Sequence, residues 1–535
     1  ADVVSFTYTF EKPHIKTEGG YSELIYENCV NLGQEGEPLL PQLGAEILLP
    51  QAQELETINI ISTRYYEYKE NIKLKPASKQ FPISQKVENY VVIPNEKIYN
   101  SSQPYPVNIV ANSGTHFLSG HCITAFTICP VKYIPAEEQV ELLAEISVEI
   151  HTKPSVKAFE AERFLRISPE IETRLNRILD NPDARSSYSY PNITREDEYD
   201  ILLISNSSLL PVFDDYIEFK ESTGYLVAAV TIEDIYTTYE GVDNAEKVRN
   251  CIIDYYENYY ISSVILGGDT DAQNPTLAVV PHRGFSVATD HSLPSDMYFS
   301  GLDGNWNNDG DNYWGEYGEY DLYSEIIVGR ICVDSETEII NFTNKLLMYQ
   351  DSPVIEDIEK ALMIGEELNN NPWTFGGDYK DEVADGSTNN GYTSAAISDN
   401  FTVEKIYDRD MTWNKYTIFD QFNNVGINLM NHLGHSSPTY NMKMNNSDLT
   451  TVNFTNDGIT RGYSIGYSQG CYNGSFDNWH FSGYYTEDCF AEKLTTLETG
   501  QVACIANSRY GWYQPGGTNS TSQYYDRMFY DGIFG

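Results

Sequence analysis

The sequence predicts an all-β antiparallel domain followed by two α/β units built on mainly parallel sheets. Three observations carry this: residues 3–150 read almost wholly as short strands broken by Pro and Gly, strands alternate with helical stretches after Asp200, and that alternation restarts after one long helix. At about 100–200 residues per domain, a chain of 535 residues has room for three such bodies.

The opening stretch contains FTYTF, AEILLP, TINIIS, YVVIP, VNIVA, CITAFTICPVKYIP and ELLAEISVEIHT. Short apolar runs bounded by turn residues are the mark of strands, and no 3.6-residue period interrupts them. Residues 1–157 are therefore assigned to the β domain. Residues 158–198 change character: Arg163, Arg166, Arg174, Arg177, Arg185 and Arg195 crowd among Asp, Asn, Pro and Ser, whereas Arg64 is the one arginine before them. This reads as an exposed linker with a short helix near Glu170–Leu179. In residues 199–355 the strands YDILLIS, YLVAAVTI and SSVILGGD flank the helical LLPVFDDYIEFKEST and NAEKVRNCIIDYYENY. After SETEIINFTNKLLMYQ, residues 356–535 repeat the rhythm with ALMIGEE, VEKIYDR, INLMNHLGH, YSIGYSQGC and VACIANSRYG. Apolar strands alternating with helices argue for parallel sheets covered on both faces, with chemistry at the carboxyl ends of the strands.

Composition narrows the function. The chain has 34 basic and 78 acidic residues, a net charge of −44, with 41% hydrophobic residues to build cores. Such a surface repels phosphate backbones, which excludes nucleic acid as a partner, and favours cations or basic substrates. No run of about 18 apolar residues exists to form a transmembrane helix. Ala1 leads directly into a strand-like segment, so a secretory signal is expected to be absent already. Abundant Tyr and Gly, few Lys, and Asn-x-Ser/Thr triplets headed by Asn192, Asn341, Asn400 and Asn453 suit an extracytoplasmic protein. The eight cysteines lack a disulfide spacing; Cys122 and Cys129 are read as buried thiols, with a hairpin disulfide as the alternative.

Two apolar strands end on reactive side chains, His435 after INLMNHLGH and Cys471 after YSIGYSQGC. If these strands neighbour one another in a parallel sheet, both residues emerge at one edge. A thiolate is the attacking form of cysteine, and an adjacent imidazolium lowers its pKa from about 8.5 to about 3.5–7.5. The backbone N–H of Ser436 or Tyr472 is positioned to face a developing oxyanion. Gly434 and Gly470 would permit sharp turns out of the strands. His432, three residues before His435, is read as packing or as a residue that supports the site from behind. A core cysteine beside an unrelated histidine is the plain alternative.

The local blocks decide between these. Gly434-His435-Ser436-Ser437 and Cys471-Tyr472-Asn473-Gly474-Ser475-Phe476, with Val328-Gly329-Arg330, Met348-Tyr349, Asp420 to Asn424 before Gly426-Ile427, and Cys489-Phe490-Ala491-Glu492, resemble the gingipain family of secreted cysteine endopeptidases. Gly36-Glu37-Pro38-Leu39-Leu40-Pro41 and Cys129-Pro130-Val131-Lys132-Tyr133 resemble that family's β-rich prodomain. The resemblance implies a caspase-like catalytic fold with Cys471 as nucleophile and His435 as acid/base, held by an acid at the end of ALMIGEE, Glu366 or, preferentially, Glu367. It departs from the family in carrying Ser436 where Gly is common. Asp378 matches the family's pocket-floor aspartate for arginine, and Trp512 the tryptophan covering that pocket; the other reading of Asp378 is a helix N-terminal residue.

Asp303, Asn305, Asn307, Asp309 and Asp311 alternate along one loop, followed by Glu316, a spacing that suits calcium; a solvated loop is the alternative. Asp269 and Asp271 are candidates for another site. No organic cofactor is expected. The sequence thus reads as a latent, secreted, calcium-binding cysteine endopeptidase cutting peptides after basic residues, arginine preferred. Its own prodomain is the inhibitor, released by cleavage in the Arg-rich linker, and Lys132, or no basic residue, plugs the pocket. Lysine or broader specificity is the rival within that class; a non-catalytic surface or adhesion module of the same fold is the rival outside it.

Overall fold

The computed structural model describes residues 2–67, 71–191, 198–271, 277–287, 290–480 and 482–535. Asn192 and Arg195 lie outside the described residues. The chain forms two compact units: one of Ala1–Gln80, Asn89–Thr194 and Ser387–Ser394, the other of Phe81–Glu88, Arg195–Gly386 and Ala395–Gly535. The expected boundary at 157 therefore differs from the structural division, since Phe81–Glu88 belongs to the α/β unit and Ser387–Ser394 to the β unit.

In the β unit, Val3–Thr9, Gln53–Tyr65 and Val131–Ile134 all pair antiparallel with the long strand Gln139–Pro154. A second antiparallel sheet runs Val30–Leu32, Leu40–Leu48, His121–Ile128, Val110–Leu118. Alternation along Gln139–Pro154 sends Val140, Leu142, Ile146, Val148 and Ile150 into the core with Ile47, Phe126 and Ile128. Residues 158–191 are not the exposed linker expected. Ser168 caps the helix Pro169–Ile178, whose Ile171 and Leu175 are buried with Phe164, Leu165 and Tyr188. Asn181 accepts from the Leu48 N–H, the Tyr188 hydroxyl donates to the Leu49 carbonyl, and even Arg166 is buried. Apolar residues spaced among the arginines gave this segment a face to bury.

The α/β unit holds two parallel sheets. The first is ordered Val227–Thr231, Ile201–Ser205, Ser263–Gly267, Ile327–Ile331. The second is ordered Thr402–Tyr407, Lys360–Gly365, Leu429–Leu433, Ser464–Ser468, Gln501–Ala506. Ile201–Ser205 and Leu429–Leu433 are buried at every residue, as strands covered on both faces must be. A capping box of Ser335 and Glu338 opens the helix Glu336–Asp351 that separates the sheets in sequence. Among the described residues all eight cysteines are free thiols, Cys122 and Cys129 included, and no helix is long and apolar enough to cross a membrane.

Candidate active site

Leu429–Leu433 and Ser464–Ser468 are adjacent parallel strands, and His435 and Cys471 follow their carboxyl ends two and three residues later. The exit loops are fastened to each other. Ser436 Oγ donates to the Cys471 carbonyl at 2.6 Å, and the Gln469 N–H donates to the His432 carbonyl at 3.0 Å. The glycines before each residue serve close approach; neither has a positive φ, and Gly434 lies at a bend as the chain leaves its strand. A Cβ on Gly470 would sit 2.2 Å from Ser436 Oγ, and one on Gly434 would sit 2.3 Å from the Glu366 carboxyl carbon.

Glu366, not Glu367, faces the histidines. Its buried carboxylate accepts the His435 N–H at 3.2 Å and lies 3.3 Å from His432 Nε2, while His432 Nδ1 is 2.9 Å from Ser468 Oγ. Burial pushes the His432 pKa down. Glu367 points elsewhere, its N–H donating to Asp408 and its carboxylate lying 3.7 Å from Lys86. His435 Nε2 is buried without a hydrogen-bond partner among the described residues. An imidazole nitrogen held in that state is free to exchange a proton with a substrate.

Cys471 is completely buried, with Sγ 3.6 Å from the Gly511 carbonyl. What covers it within this unit is the segment Phe81–Glu88. Phe81 and Pro82 pair antiparallel with Tyr513 and Trp512, and the Ile83 N–H donates to the Gly511 carbonyl at 2.8 Å. Tyr513 Oη donates to the Gln85 carbonyl at 3.0 Å, and the Val87 N–H to Asn369 Oδ1 at 3.0 Å. Burial pushes the Cys471 thiol up; hydrogen bonds from the Gly511 and Ser84 backbone, the Ser84 hydroxyl and the Ile83 backbone oppose it. Within the β unit, Lys132 Nζ lies over the Tyr65 ring at 5.9 Å.

Two further expectations change. The Tyr472 N–H already donates to the Arg509 carbonyl at 2.6 Å, so it is no spare oxyanion donor, leaving Ser436 of the pair. Asp378 is the third residue of the helix Gly376–Ala384, half-exposed and paired with Arg409, which also engages Asp381 and Asp410. It occupies the helix N-terminal role rather than a vacant pocket floor. Trp512 lies beside the covering segment, opposite Pro82.

Sequence reasoning missed the network beneath the site. Lys380 and Asp526, both fully buried, meet at 2.6 Å; Asn431 bridges them at 2.7 Å to each, and Gln469 Nε2 donates to Asp526 at 2.7 Å. Asn431 and Gln469 belong to the two strand ends that carry His435 and Cys471. The polar residues in INLMNHLGH and YSIGYSQGC, out of place in buried strands, were the available signal.

The loop expected to bind calcium divides. Carboxylate oxygens of Asp309, Asp311 and Glu316 lie within 4.8 Å of one another. Asn305 and Asn307 spend their side-chain oxygens on the Asn307 and Gly310 N–H groups. Asp303 instead faces Asp321 and Glu325; burial, then these two carboxylates, push its pKa well up, and its Oδ2 has no hydrogen-bond partner among the described residues. Asp269 lines a cavity of about 330 Å³ with Asp271, Asp334 and Asp488. Burial pushes Asp269 up to about 7, and the buried Glu492 beside it well up. Clustered carboxylates raised in this way suit a hard divalent cation, which would relieve their repulsion.

Residues 194–535 match Peptidase family C25, and residues 9–165 match Propeptide_C25. The chain is 21% identical over 531 residues to "Gingipain R2" of Porphyromonas gingivalis (strain ATCC BAA-308 / W83), covering 94% of this chain and 62% of that protein. It is 21% identical over 516 residues to "Gingipain R1" of Porphyromonas gingivalis, covering 94% of this chain and 46% of that protein. The chain thus spans less than two thirds of the length of these relatives. The complex of Porphyromonas gingivalis RgpB pro- and mature domains is similar with a TM-score of 0.40 and 19% identity, over 58% of this chain and 64% of that one.

Proposed function

The chain belongs to peptidase family C25, and from that premise we propose that it is a secreted cysteine endopeptidase in latent form, with Cys471 as nucleophile and His435 as acid/base. Cys471 Sγ attacks the scissile carbonyl, forming a C–S bond as the C–N bond breaks, and His435 delivers the thiol proton to the leaving amine. Water then cleaves the acyl-enzyme with His435 as base, restoring the thiol. Glu366 positions His435 through its backbone N–H, and the Ser436 N–H is the candidate oxyanion donor. The observation that carries latency is the segment Phe81–Glu88, part of the propeptide match, laid along Gly511–Tyr513 over a completely buried Cys471.

Activation requires this segment to leave, following cleavage between the propeptide and catalytic regions. Arg163, near the end of the propeptide match, and Arg177, between the two matches, are the exposed arginines described in residues 158–191. Arginine preference itself has little support from Asp378, whose carboxylate is spent on Arg409. Calcium is proposed as a structural ion, with Asp309, Asp311 and Glu316, the Asp303, Asp321 and Glu325 group, and Asp269 with Glu492 as the residues that would hold it; it would supply charge compensation and no catalytic step. Calcium titration followed by thermal melting tests this, a rise in Tm being expected and an unchanged Tm opposing it. The protease reading is tested on the full chain, proteolytically nicked in residues 163–177: casein hydrolysis should appear, and should vanish in Cys471→Ala and His435→Ala. Hydrolysis that survives Cys471→Ala, or an inert nicked chain, would contradict it.

A further inference from the structure

We propose that the pocket beside Cys471 takes an aliphatic side chain, and that Ile83 occupies it as a substrate mimic, making bonds after isoleucine and similar residues the preferred ones. The inference rests on the protease reading above. Its starting point is the backbone. An extended segment that hydrogen-bonds to an edge strand next to a nucleophile presents one peptide bond to that nucleophile, main-chain pairing giving affinity and side-chain pockets giving specificity. Here the pairing runs through Phe81 and Pro82 to the Ile83 N–H, whose acceptor, the Gly511 carbonyl, also lies 3.6 Å from Cys471 Sγ, and Ile83 and Ser84 both hydrogen-bond at that thiol. The Ile83–Ser84 bond is therefore the one presented, and Ile83 stands immediately before it.

Ile83 is also the residue of the segment that is wholly enclosed, at 0% exposure. Its Cδ1 reaches so near Gly511 that a Cβ there would lie 2.8 Å from it. The basic residue of the segment, Lys86, is placed three positions further on, half-exposed beside Glu367. A guanidinium in the Ile83 position would need a free carboxylate, since burying an unpaired charge is strongly unfavourable. Among the acids of the helix Gly376–Ala384 and of the C-terminal helix Thr521–Phe534, Asp378 and Asp381 pair with Arg409, Glu382 with Arg527 and Asp526 with Lys380, while Asp531 accepts the Ala395 N–H. Enclosure of Ile83, with these carboxylates already engaged, selects apolar side chains.

Full-length Ile83→Val, Ile83→Arg and Ile83→Asp are compared with the parent for iodoacetamide labelling of Cys471 and for turnover of Phe-Pro-Ile, Phe-Pro-Arg and Phe-Pro-Lys coumarin amides. Ile83→Val should stay latent, whereas Ile83→Arg and Ile83→Asp should label at least tenfold faster and cleave the isoleucine peptide at least tenfold faster in kcat/KM than the arginine peptide. Turnover guards against mistaking an unfolded variant for a released one. If Ile83→Arg is as latent as the parent, or if arginine or lysine peptides are cleaved faster, the aliphatic pocket is overturned while the protease reading stands. If the released variants label rapidly but cleave none of the three, both readings fall.

Discussion

The Ser436 hydroxyl donates a 2.6 Å hydrogen bond to the Cys471 carbonyl, so the residue after the candidate base holds the backbone of the candidate nucleophile. Glycine, common at this position in the family that the sequence resembles, cannot make that bond. Ser436→Gly should lower kcat of the released enzyme about threefold to tenfold with KM little changed, as expected for a hydrogen bond of about 0.5–1.5 kcal/mol that fixes geometry. Steady-state kinetics on one peptide substrate checks it, and an unchanged kcat would show the bond to be incidental.

Glu366 and Glu367 are neighbours with opposite assignments. Glu366→Gln, which replaces the carboxylate facing the His435 N–H and His432 Nε2 with an uncharged amide, should cut kcat about tenfold to a hundredfold. Glu367→Gln touches the Lys86 pair and should leave kcat of the released enzyme within about twofold. The reverse order would return the orienting role to Glu367.

His121 gives the β unit an acid-sensitive point. It is buried between the Leu118 carbonyl and Tyr190 Oη, each 3.0 Å from a ring nitrogen, and burial pushes its pKa down to about 4. A histidine depressed from about 6.5 stabilises the fold fully above that pH, and the contribution is lost as pH falls from about 6.5 through about 4. The loss amounts to about 3 kcal/mol in total. Urea midpoints at pH 7 and pH 4.5 should differ more for the parent than for His121→Gln. Because Tyr188 stacks on His121, this acid loss should also loosen residues 158–191. Equal pH dependence in the two proteins would remove His121 from this role.

The Lys380–Asp526 pair predicts a large stability effect remote from the reacting atoms. Asp526→Ala leaves a fully buried ammonium without its counter-charge and takes one acceptor from each of Asn431 and Gln469, and should cost about 3–5 kcal/mol. Lys380→Met with Asp526→Leu should recover part of that loss. Denaturant unfolding of the two variants measures the difference, and a cost below about 1 kcal/mol for Asp526→Ala would contradict it.

The elements that carry the candidate site were legible because their signals are local. INLMNHLGH and YSIGYSQGC are apolar runs ending on His and Cys, and parallel pairing brought their ends to one edge. What escaped were relationships across sequence. Asp378 reads as an unclaimed acid until the fold delivers Arg409 to it from 31 residues away. Glu366 and Glu367 differ by one position, and only the register of Lys360–Gly365 against Leu429–Leu433 decides which faces His432. Phe81–Glu88 was the hardest to read, since a short Pro-containing stretch makes a weak strand by itself and gains its pairing from residues more than 400 positions later. The arginines of 158–191 drew attention to charge, while Ile171, Leu175 and Leu179 supplied the burial.

The most direct test of the central claim is the iodoacetamide labelling rate of Cys471 at neutral pH, read by peptide mass spectrometry in full-length Ile83→Asp and in the same variant carrying His435→Ala. The account predicts labelling at least tenfold faster than a model thiol in the first protein, a fall to the model-thiol rate in the second, and slow labelling in the parent chain where Ile83 and Ser84 cover the sulfur. Equal rates with and without His435, or rapid labelling of the parent, would contradict it.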